Sequence, residues 1–379
     1  MENVEIEPKI AFNVLDDIDS FNNSNHGAAF TATANANIAL IKYWGKRDET
    51  LILPYTSSLS LTLDGFSTTT KVRFDDCLEA DSICLNGVNF TGDLLQSSER
   101  ARIVKMLDIV RKMAGIKSKA QVVSVNTVPT AAGLASSASG FAALASAASY
   151  AAGLNLSPRN LSILARKGSG SACRSIYGGL VLWNAGTSDE TSYAEPIETP
   201  EELQLAMVTV ILNSSKKKIS SREAMRRTVE TSPIYADWIK NCKKDLNTAL
   251  SAIKNCDIQA LGEVSERNAL GMHDAMRAAA ESVNYLTDET HVVLNVVRKM
   301  RDESGFPVWA TMDAGPNVKV LTSAEQVLRV KNELSLRVLS EIKRLRESQE
   351  SPSFSSFAQS NPQFVIARPG SGVSIRRES

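Results

Sequence analysis

Residues 129–144 read PTAAGLASSASGFAAL, and this is the most informative stretch of the chain. The small residues that would let a backbone approach a ligand closely are Gly133, Ser136, Ser137, Ala138, Ser139 and Gly140. If a helix begins here, its first N–H groups can bind phosphate without positive side chains. No charged residue lies between Lys119 and Arg159, so this is not the lysine-ended GxxxxGK[ST] loop. The same composition also suits a helix packed tightly against a sheet, and at this stage both interpretations stand.

The composition of the whole chain is that of an ordinary globular protein. The chain has 379 residues, 43% of them hydrophobic and 22% charged, and its 42 basic and 42 acidic side chains balance. Zero net charge argues against a nucleic-acid partner bound by bulk basicity and against an acidic disordered chain. No apolar run approaches the roughly 18 residues of a membrane span. The first 25 residues lack the basic start and apolar core of a signal peptide.

The cysteine and histidine content indicates a reduced compartment. Five cysteines are scattered without a CxxC pair, and there are only three histidines. This argues against a disulfide scaffold and against a structural zinc site. We therefore expect no protein-bound metal site, no membrane partner and a cytoplasmic location.

The acidic residues are unevenly distributed along the chain. Residues 20–47, 109–188 and 203–222 contain no Asp or Glu and together carry a net charge of +15. Chance and solvated surface are one explanation, especially for the lysine run 216–218. The other is that acids are kept away from anion-binding sites, because a nearby carboxylate repels phosphate and competes for its Arg and Lys partners.

The hydrophobic pattern predicts an α+β chain, strand-rich before about residue 200 and helix-rich after it. Alternation around Asp64-Gly65 predicts a hairpin over 58–74. The other predicted strands are 28–40, 121–128, 178–184, 205–213, 307–311, 318–321 and 364–367. The predicted helices are 98–114, a helix after the opening stretch, and then 220–231, 233–255, 257–281, 288–304 and 323–347.

Two further segments contain side chains that could bind anions. Residues 168–175, GSGSACRS, alternate serine and glycine before Arg174, which has no ion partner nearby in the sequence. They are either a flexible turn or a loop offering amides, hydroxyls and one guanidinium to a phosphate or carboxylate. Residues 37–46, NIALIKYWGK, run from an apolar strand into lysines and aromatics. These are either a snorkelling strand edge or the wall of a site for an anionic substrate.

A carboxylate on a tight turn is the remaining candidate for chemistry. Asp313 belongs to MDAGPN, residues 312–317, between two short strands. Gly-Pro makes this segment a turn, and Asp is a common turn residue. A carboxylate fixed on such a turn could equally serve as a catalytic base or orient a hydroxyl group.

Together these segments resemble the diphosphomevalonate decarboxylase family of the GHMP small-molecule kinase superfamily. The resemblance rests on residues 37–63, 129–145, 168–183 and 311–317, with 220–233 as a weaker fifth segment. The string KYWGKRDE together with GSGSACRS and DAGPN is more specific than a Gly/Ser-rich loop alone. One departure is Thr56 in LPYTSSLS, where the family often has Asn, which leaves the nucleotide-side contacts there uncertain.

The resemblance implies a GHMP kinase fold in two domains with a cleft between them. Residues 1–27 would be an N-terminal extension, and 28–202 a ribosomal S5 domain 2-like, ATP-binding domain. Residues 203–350 would form a ferredoxin-like domain, and 351–379 a linker and a C-terminal strand returning to the body. The resemblance also implies a homodimer.

The resemblance further implies an ATP- and Mg²⁺-dependent reaction on mevalonate 5-diphosphate. Phosphorylation of the tertiary 3-hydroxyl would precede loss of phosphate and CO₂, giving isopentenyl diphosphate. The implied catalytic residues are Asp313 toward the hydroxyl, Arg174 toward the carboxylate, Lys42 toward the phosphate, and Asn37 orienting Arg174. The implied substrate contacts are Tyr43, Trp44, Gly45, Lys46, Ser169, Gly170, Ser171, Ala172, Cys173 and Arg222. The implied ATP-phosphate contacts are Gly133, Ser136, Ser137, Ala138 and Ser139.

Three alternatives remain at this stage. The chain could be a decarboxylase of the 5-monophosphate, or a GHMP kinase that stops after phosphorylation. It could also be a non-catalytic phosphometabolite-binding protein, although mere binding would not require Asp313, Arg174 and Lys42 together.

Overall fold

The computed structural model describes residues 27–127, 136–212, 219–348 and 361–378. The strands are β1 Phe30–Ile41, β2 Lys46–Asp48, β3 Leu53–Pro54, β4 Ser58–Asp75, β5 Ser82–Leu85, β6 Val88–Asn89, β7 Lys119–Asn126, β8 Leu180–Trp183, β9 Ala194–Pro196, β10 Leu205–Ile211, β11 Trp309–Met312, β12 Val318–Ser323, β13 Gln363–Ala367 and β14 Ser374–Arg377. The α-helices are α1 Ser98–Ala114, α2 Ser136–Ala151, α3 Pro158–Gly168, α4 Ser221–Thr231, α5 Tyr235–Lys254, α6 Ile258–Arg277, α7 Asp288–Ser304 and α8 Val327–Ser348. Gly92–Gln96 and Gly170–Ile176 are 3₁₀ turns.

The first half of the chain builds an eight-stranded sheet. Its order is β14-β1-β4-β7-β5-β6, with β8 joined to both β4 and β9. The pairs are antiparallel except for β5 with β7, which run parallel. Helices α1, α2 and α3 cover this sheet with one shared apolar core. The side chains of α2 are mostly alanine and serine, and Ala142 and Ala145 are fully buried, so this helix does pack tightly.

The predicted hairpin over 58–74 is wrong. Residues Ser58–Asp75 form one strand that pairs with β1 on both sides of Asp64-Gly65. The register changes there, from Asn37 opposite Thr62 to Asn35 opposite Ser67, so the extra residues form a bulge. Gly65 takes the left-handed conformation, with φ of +72°, that the bulge requires.

The second half builds a four-stranded antiparallel sheet of order β11-β12-β10-β13. Helices α6, α7 and α8 supply residues to its apolar cores. The predicted helices and strands of this half are found with end shifts of a few residues. These two sheets and their helices confirm the α+β prediction.

The C-terminal residues join the two sheets. The predicted strand near 364–367 is present as β13 and pairs with β10 of the second sheet. The segment then crosses to the first sheet, where β14 pairs with β1. The pattern did not predict β14. Asp64 in the β4 bulge fixes the crossing, because its carboxylate accepts a hydrogen bond from the Arg368 backbone N–H (2.7 Å).

In the part of the chain that the structure describes, no helix is both long and apolar enough to cross a bilayer. All five cysteines are described and are free thiols. The lysine run 216–218 lies outside the described residues.

Candidate active site

One cavity of about 380 Å³ collects most of the predicted site residues from both halves of the chain. The predicted residues that line it are Asn37, Lys42, Tyr43, Trp44, Lys46, Ser137, Ser169, Gly170, Ser171, Arg174, Arg222 and Asp313. Gly45, Ala172, Cys173, Ala138 and Ser139 are described but are not among the lining residues. Gly133 lies outside the described residues, and Ser136 is described only as the first residue of α2.

The centre of the cavity is an ion cluster around Asp313. Strand β1 ends just before Lys42, and β11 ends just before Asp313, so the two strands deliver these side chains to one point. Lys42 Nζ donates to Asp313 Oδ1 (2.9 Å) and to the Ala39 carbonyl (2.8 Å). Lys319 Nζ lies 3.2 Å from Asp313 Oδ2. The carboxylate is thus held between two buried ammonium groups.

These ammonium groups fix the charge state of Asp313. Burial by itself would raise the pKa of this carboxyl, but the charges of Lys42 and Lys319 outweigh it and hold the pKa below the usual range. Burial also lowers the pKa of Lys42, an effect that its contact with Asp313 opposes. Asp313 is therefore ionised at neutral pH and can accept a proton or a hydrogen bond from a hydroxyl group.

Sequence reasoning missed Lys319, although a sign of it was visible. It sits in the apolar strand VKVLTS and is only 1% exposed. Because β12 pairs with β11, Lys319 stands opposite Thr311, two residues before Asp313. A lone lysine within a buried strand beside a candidate acid was the available signal.

Arg174 forms the second centre of the cavity. It lies in the 3₁₀ turn Gly170–Ile176 and is 2% exposed. Its Nε donates to Asn37 Oδ1 (3.1 Å) and its Nη1 to Ser58 Oγ (2.6 Å). Asn37 Nδ2 in turn donates to Ser175 Oγ (2.8 Å) and to the Ser171 carbonyl (3.1 Å). Asn37 therefore fixes both the guanidinium and the loop that carries it, while Ser58 is a contact the sequence did not indicate.

No carboxylate among the described residues forms an ion pair with Arg174. Burial lowers the pKa of this guanidinium. A buried cation without an ionic partner is costly, and a ligand carboxylate entering the cavity would offset that cost.

A group of cations lines another part of the cavity. Arg102 of α1 and Arg222 of α4 each donate from Nη2 to the same acceptor, the Gly168 carbonyl, at 3.1 Å. Burial, and then the charge of Arg222, lower the pKa of Arg102 to about 10. Lys46 also lines the cavity and contacts the exposed Glu49 carboxylate (2.5 Å). Two guanidinium groups converging on one carbonyl form a site that an anion with several charges would stabilise.

Arg102 is the second residue that sequence reasoning missed. Helix α1 reads as an ordinary amphipathic helix, and Arg102 resembles any other charge on it. Only the packing of α1 beside the end of α3 turns this side chain to Gly168.

Aromatic residues after β1 connect the two halves of the molecule. Trp44 Nε1 donates to Thr228 Oγ1 (3.1 Å), and Tyr235 Oη donates to the Trp44 carbonyl (2.7 Å). Gly45, at φ +100°, allows this approach, because a Cβ there would lie 2.0 Å from Tyr235 Oη. Gly45 therefore positions the cavity wall and does not line the cavity itself.

Tyr43 presents a phenol near the cavity. Its ring packs edge-on against Trp183 with centroids 4.7 Å apart, and its buried Oη has no hydrogen-bond partner within the described ranges. Burial raises the pKa of this phenol, so it stays protonated and can donate a hydrogen bond to a ligand oxygen.

The beginning of α2 faces the cavity through Ser137. Its Oγ lies 3.4 Å from Ser169 Oγ. Ser139 instead turns toward the sheet, where its Oγ lies 2.7 Å from Thr68 Oγ1, and Ala138 is fully buried. Thr56, the departure noted above, is half-buried and is not among the lining residues.

Comparison with known proteins identifies relatives along most of the chain. Residues 34–194 match the family described as diphosphomevalonate decarboxylase-like N-terminal domain, and residues 207–365 match the mevalonate 5-diphosphate decarboxylase C-terminal domain. The diphosphomevalonate decarboxylase of Ganoderma lucidum is 36% identical over 79% of this chain and 80% of its own length. The Homo sapiens diphosphomevalonate decarboxylase is 34% identical over 79% of this chain and 78% of its own length.

Solved structures agree with the sequence comparison. The mevalonate diphosphate decarboxylase of Staphylococcus aureus superposes with a TM-score of 0.80 at 42% identity, covering 92% of this chain and 98% of its own. A structure described as MDDEF in complex with MVAPP, AMPPCP and magnesium superposes with a TM-score of 0.81 at 43% identity. The match covers 93% of this chain and 99% of that one. The expected two-domain GHMP kinase architecture is thereby confirmed.

Proposed function

The chain belongs to the diphosphomevalonate decarboxylase family, and on that premise we propose how its own residues carry out the family's reaction. It is an ATP-dependent enzyme that converts mevalonate 5-diphosphate to isopentenyl diphosphate, ADP, inorganic phosphate and CO₂. One observation supports the roles proposed for single residues: Asp313 and Arg174 line the same cavity. Asp313 is ionised, and Arg174 has no carboxylate partner among the described residues.

Asp313 acts on the tertiary 3-hydroxyl in this proposal. A hydroxyl is a poor leaving group, so it first accepts the γ-phosphoryl group of ATP, and the carboxylate orients it or takes its proton. Lys42 and Lys319 neutralise negative charge as the phosphoryl group arrives, since both ammonium groups are already fixed beside Asp313.

Arg174 binds the C1 carboxylate of the substrate. The two hydrogen bonds that the guanidinium gives to Asn37 and Ser58 fix its plane and leave other N–H groups for the ligand. After phosphorylation, loss of the 3-phosphate develops positive charge at C3. The C1–C2 bond electrons then form the alkene, and the carboxylate leaves as CO₂.

In this proposal the diphosphate of the substrate binds to the cationic side chains near Gly168. Arg102, Arg222 and Lys46 supply the charge, and the loop Ser169–Ser171 supplies hydroxyl and backbone N–H groups. A diphosphate would compete with Glu49 for Lys46, whose present partner is solvent-exposed.

ATP binds with its phosphates toward the N-terminus of α2 and Ser137. Mg²⁺ neutralises phosphate charge when it is bound. No cluster of three or more potential metal ligands exists among the described residues, and the described carboxylate that lines the cavity, Asp313, is already paired with two lysines. The donor set therefore fits a metal ion held mainly by the phosphates of ATP.

The direct test is incubation of the protein with ATP, Mg²⁺ and mevalonate 5-diphosphate, measuring ADP and CO₂ together. We expect equal amounts of both. ADP without CO₂ would instead identify a kinase that stops after phosphorylation, and faster turnover of mevalonate 5-phosphate would identify the monophosphate enzyme.

Arg102→Gln tests the diphosphate site. Losing one charge-assisted hydrogen bond should raise KM for mevalonate 5-diphosphate about 10-fold, with kcat and the KM for ATP changed little. Lys105→Gln, an exposed cation one turn along the same helix, is the matched control and should behave as the wild type. An unchanged KM in Arg102→Gln would remove Arg102 from the site.

A homodimer and a cytoplasmic location belong to the same proposal; the family resemblance supports the first, and the scattered cysteines without a CxxC pair support the second. Light scattering on the purified protein measures the first, and imaging of the tagged protein in its cell of origin measures the second.

A further inference from the structure

The loop that carries Asp313 joins β11 to β12. The last pair of the strand ladder is Met312 opposite Val318, so residues 313–317 form a loop beyond it. Lys319 lies within the ladder, and strand register therefore fixes its position. Asp313 lies outside the ladder, so its position relative to Lys319 depends on the contacts that hold the loop.

Hydrogen bonds restrict this loop near its start and at its end. The Gly315 N–H donates to the Asp313 carbonyl (2.7 Å), which closes a tight turn. Asn317 is 1% exposed, and its Oδ1 accepts a hydrogen bond from the Leu212 N–H (2.8 Å), just past the end of β10. The position between these two contacts is held from a different element, helix α7.

Thr290 of α7 holds the loop at Pro316. Its side chain is fully buried, and its Oγ1 donates to the Pro316 carbonyl (2.8 Å). The same Oγ1 accepts from the Thr287 N–H (3.1 Å), while Thr287 Oγ1 accepts from the Thr290 N–H (3.2 Å), so the two residues form a capping box. The two hydroxyl oxygens lie 3.1 Å apart. Because the carbonyl can only accept, the Thr290 proton points at Pro316, and Thr287 supplies the proton between the two hydroxyl groups.

Helix α7 is a rigid support for this contact. Val293, one turn after Thr290, is fully buried in the same apolar core as Met312 and Val318, the residues that flank the loop on its two strands. The helix is therefore packed against the strands from which the loop emerges. A hydrogen bond from its first turn fixes the loop relative to both strands.

We propose that Thr290 is a positioning residue for Asp313, acting through the Pro316 carbonyl. With the loop held there, the carboxylate stays in contact with Lys42 and Lys319. Neither Thr290 nor Pro316 lines the cavity, so the effect reaches Asp313 through the backbone of the loop. The inference rests on the proposed function, because it takes Asp313 as the group that acts on the 3-hydroxyl. It also makes a separate claim, that α7 anchors the loop.

Thr290→Val removes the hydroxyl group and keeps the shape of the side chain. We expect kcat for mevalonate 5-diphosphate to fall about 10- to 100-fold, because a displaced catalytic group loses its alignment. KM for mevalonate 5-diphosphate and for ATP should stay within about 3-fold of the wild type, because the cations proposed to bind them are unchanged. Thr290→Ser keeps the hydroxyl group and its hydrogen bond, and should retain at least about a third of kcat.

Thr287→Val is the matched control, because it removes the other half of the same capping box. Thr287 is exposed, and among the described residues its hydroxyl contacts Thr290 and not the loop. Both valine variants should melt a few degrees below the wild type, since each weakens the cap of α7. Thr287→Val should nevertheless keep the wild-type kcat. Equal kcat values in the two valine variants, or no recovery in Thr290→Ser, would overturn the proposal.

Hydrogen exchange measured by mass spectrometry tests the anchor without an assay of activity. Peptides covering residues 312–318 should exchange about 5-fold faster in Thr290→Val than in the wild type, because one hydrogen bond is lost. They should exchange at the wild-type rate in Thr287→Val. Unchanged exchange in Thr290→Val would overturn the proposal, and so would faster exchange with an unchanged kcat. A wild-type protein that releases no CO₂, with faster exchange in Thr290→Val, would contradict the proposed function and support the anchoring of the loop by α7.

Discussion

Asp313→Asn is expected to lower the turnover of mevalonate 5-diphosphate about 10³-fold or more while leaving substrate affinity nearly intact. Such a loss corresponds to about 4 kcal/mol of transition-state stabilisation. The amide keeps the shape of the carboxylate but cannot take the proton of the 3-hydroxyl. It also leaves Lys42 and Lys319 without the negative charge that both now contact. Substrate affinity should persist because Arg174, Arg102 and Arg222 are untouched.

Steady-state kinetics with coupled detection of ADP, together with CO₂ release, measure this effect. Asp237→Asn, on the exposed first turn of α5, is the matched control and should retain full activity. A variant at position 313 that keeps more than a tenth of the wild-type turnover would contradict the assignment.

The pH dependence of the wild type follows from the same cluster. The pKa of Asp313 is lowered from an ordinary value of 3.8, so this group is already ionised throughout the range from pH 5 to 8. Protonation of Asp313 would occur only below that ordinary value. We therefore expect that any fall in kcat between pH 8 and pH 5 comes from groups other than Asp313.

The effect of Arg174→Ala is expected to be of similar size. We expect kcat/KM for mevalonate 5-diphosphate to fall about 10³-fold and ATP affinity to stay unchanged. The guanidinium is buried, so its removal takes away the partner of the substrate carboxylate in a place that water reaches poorly. Arg174→Lys should recover little, because one ammonium group cannot reproduce the planar contacts with Asn37 and Ser58.

Substrate and nucleotide titrations of the same variant locate the defect. Arg344→Ala, whose side chain is 71% exposed on α8, controls for the loss of one positive charge. Thermal unfolding of Arg174→Ala should show that the protein is still folded. A change confined to ATP affinity would mean that Arg174 contacts the nucleotide and not the substrate carboxylate.

Local patterns in the sequence were sufficient for most of the helices and strands. The helix at 98–114 and those of the second half follow from apolar spacing that a chain of any fold would have to bury. The pattern was misleading at Asp64-Gly65, because a turn-forming pair can also relieve strain in a long bent strand. The neighbours on both sides of β4 decide between the two, and they are distant in the sequence.

The sequence by itself determined the motifs, the family they resemble and the residues whose chemistry is visible from their type, Asp313, Arg174 and Lys42. Only the tertiary structure decided which other side chains lie at the cavity or contact its ion cluster and its buried guanidinium, namely Lys319, Ser58 and Arg102. The pattern around each of these is typical of an ordinary strand or an amphipathic helix. Lys319 reaches Asp313 through strand register, and Arg102 reaches Gly168 through the packing of α1 beside the end of α3. Ser58 and Arg174 are 116 positions apart in the chain and Arg102 and Gly168 are 66 apart, and local periodicity carries no information about such contacts.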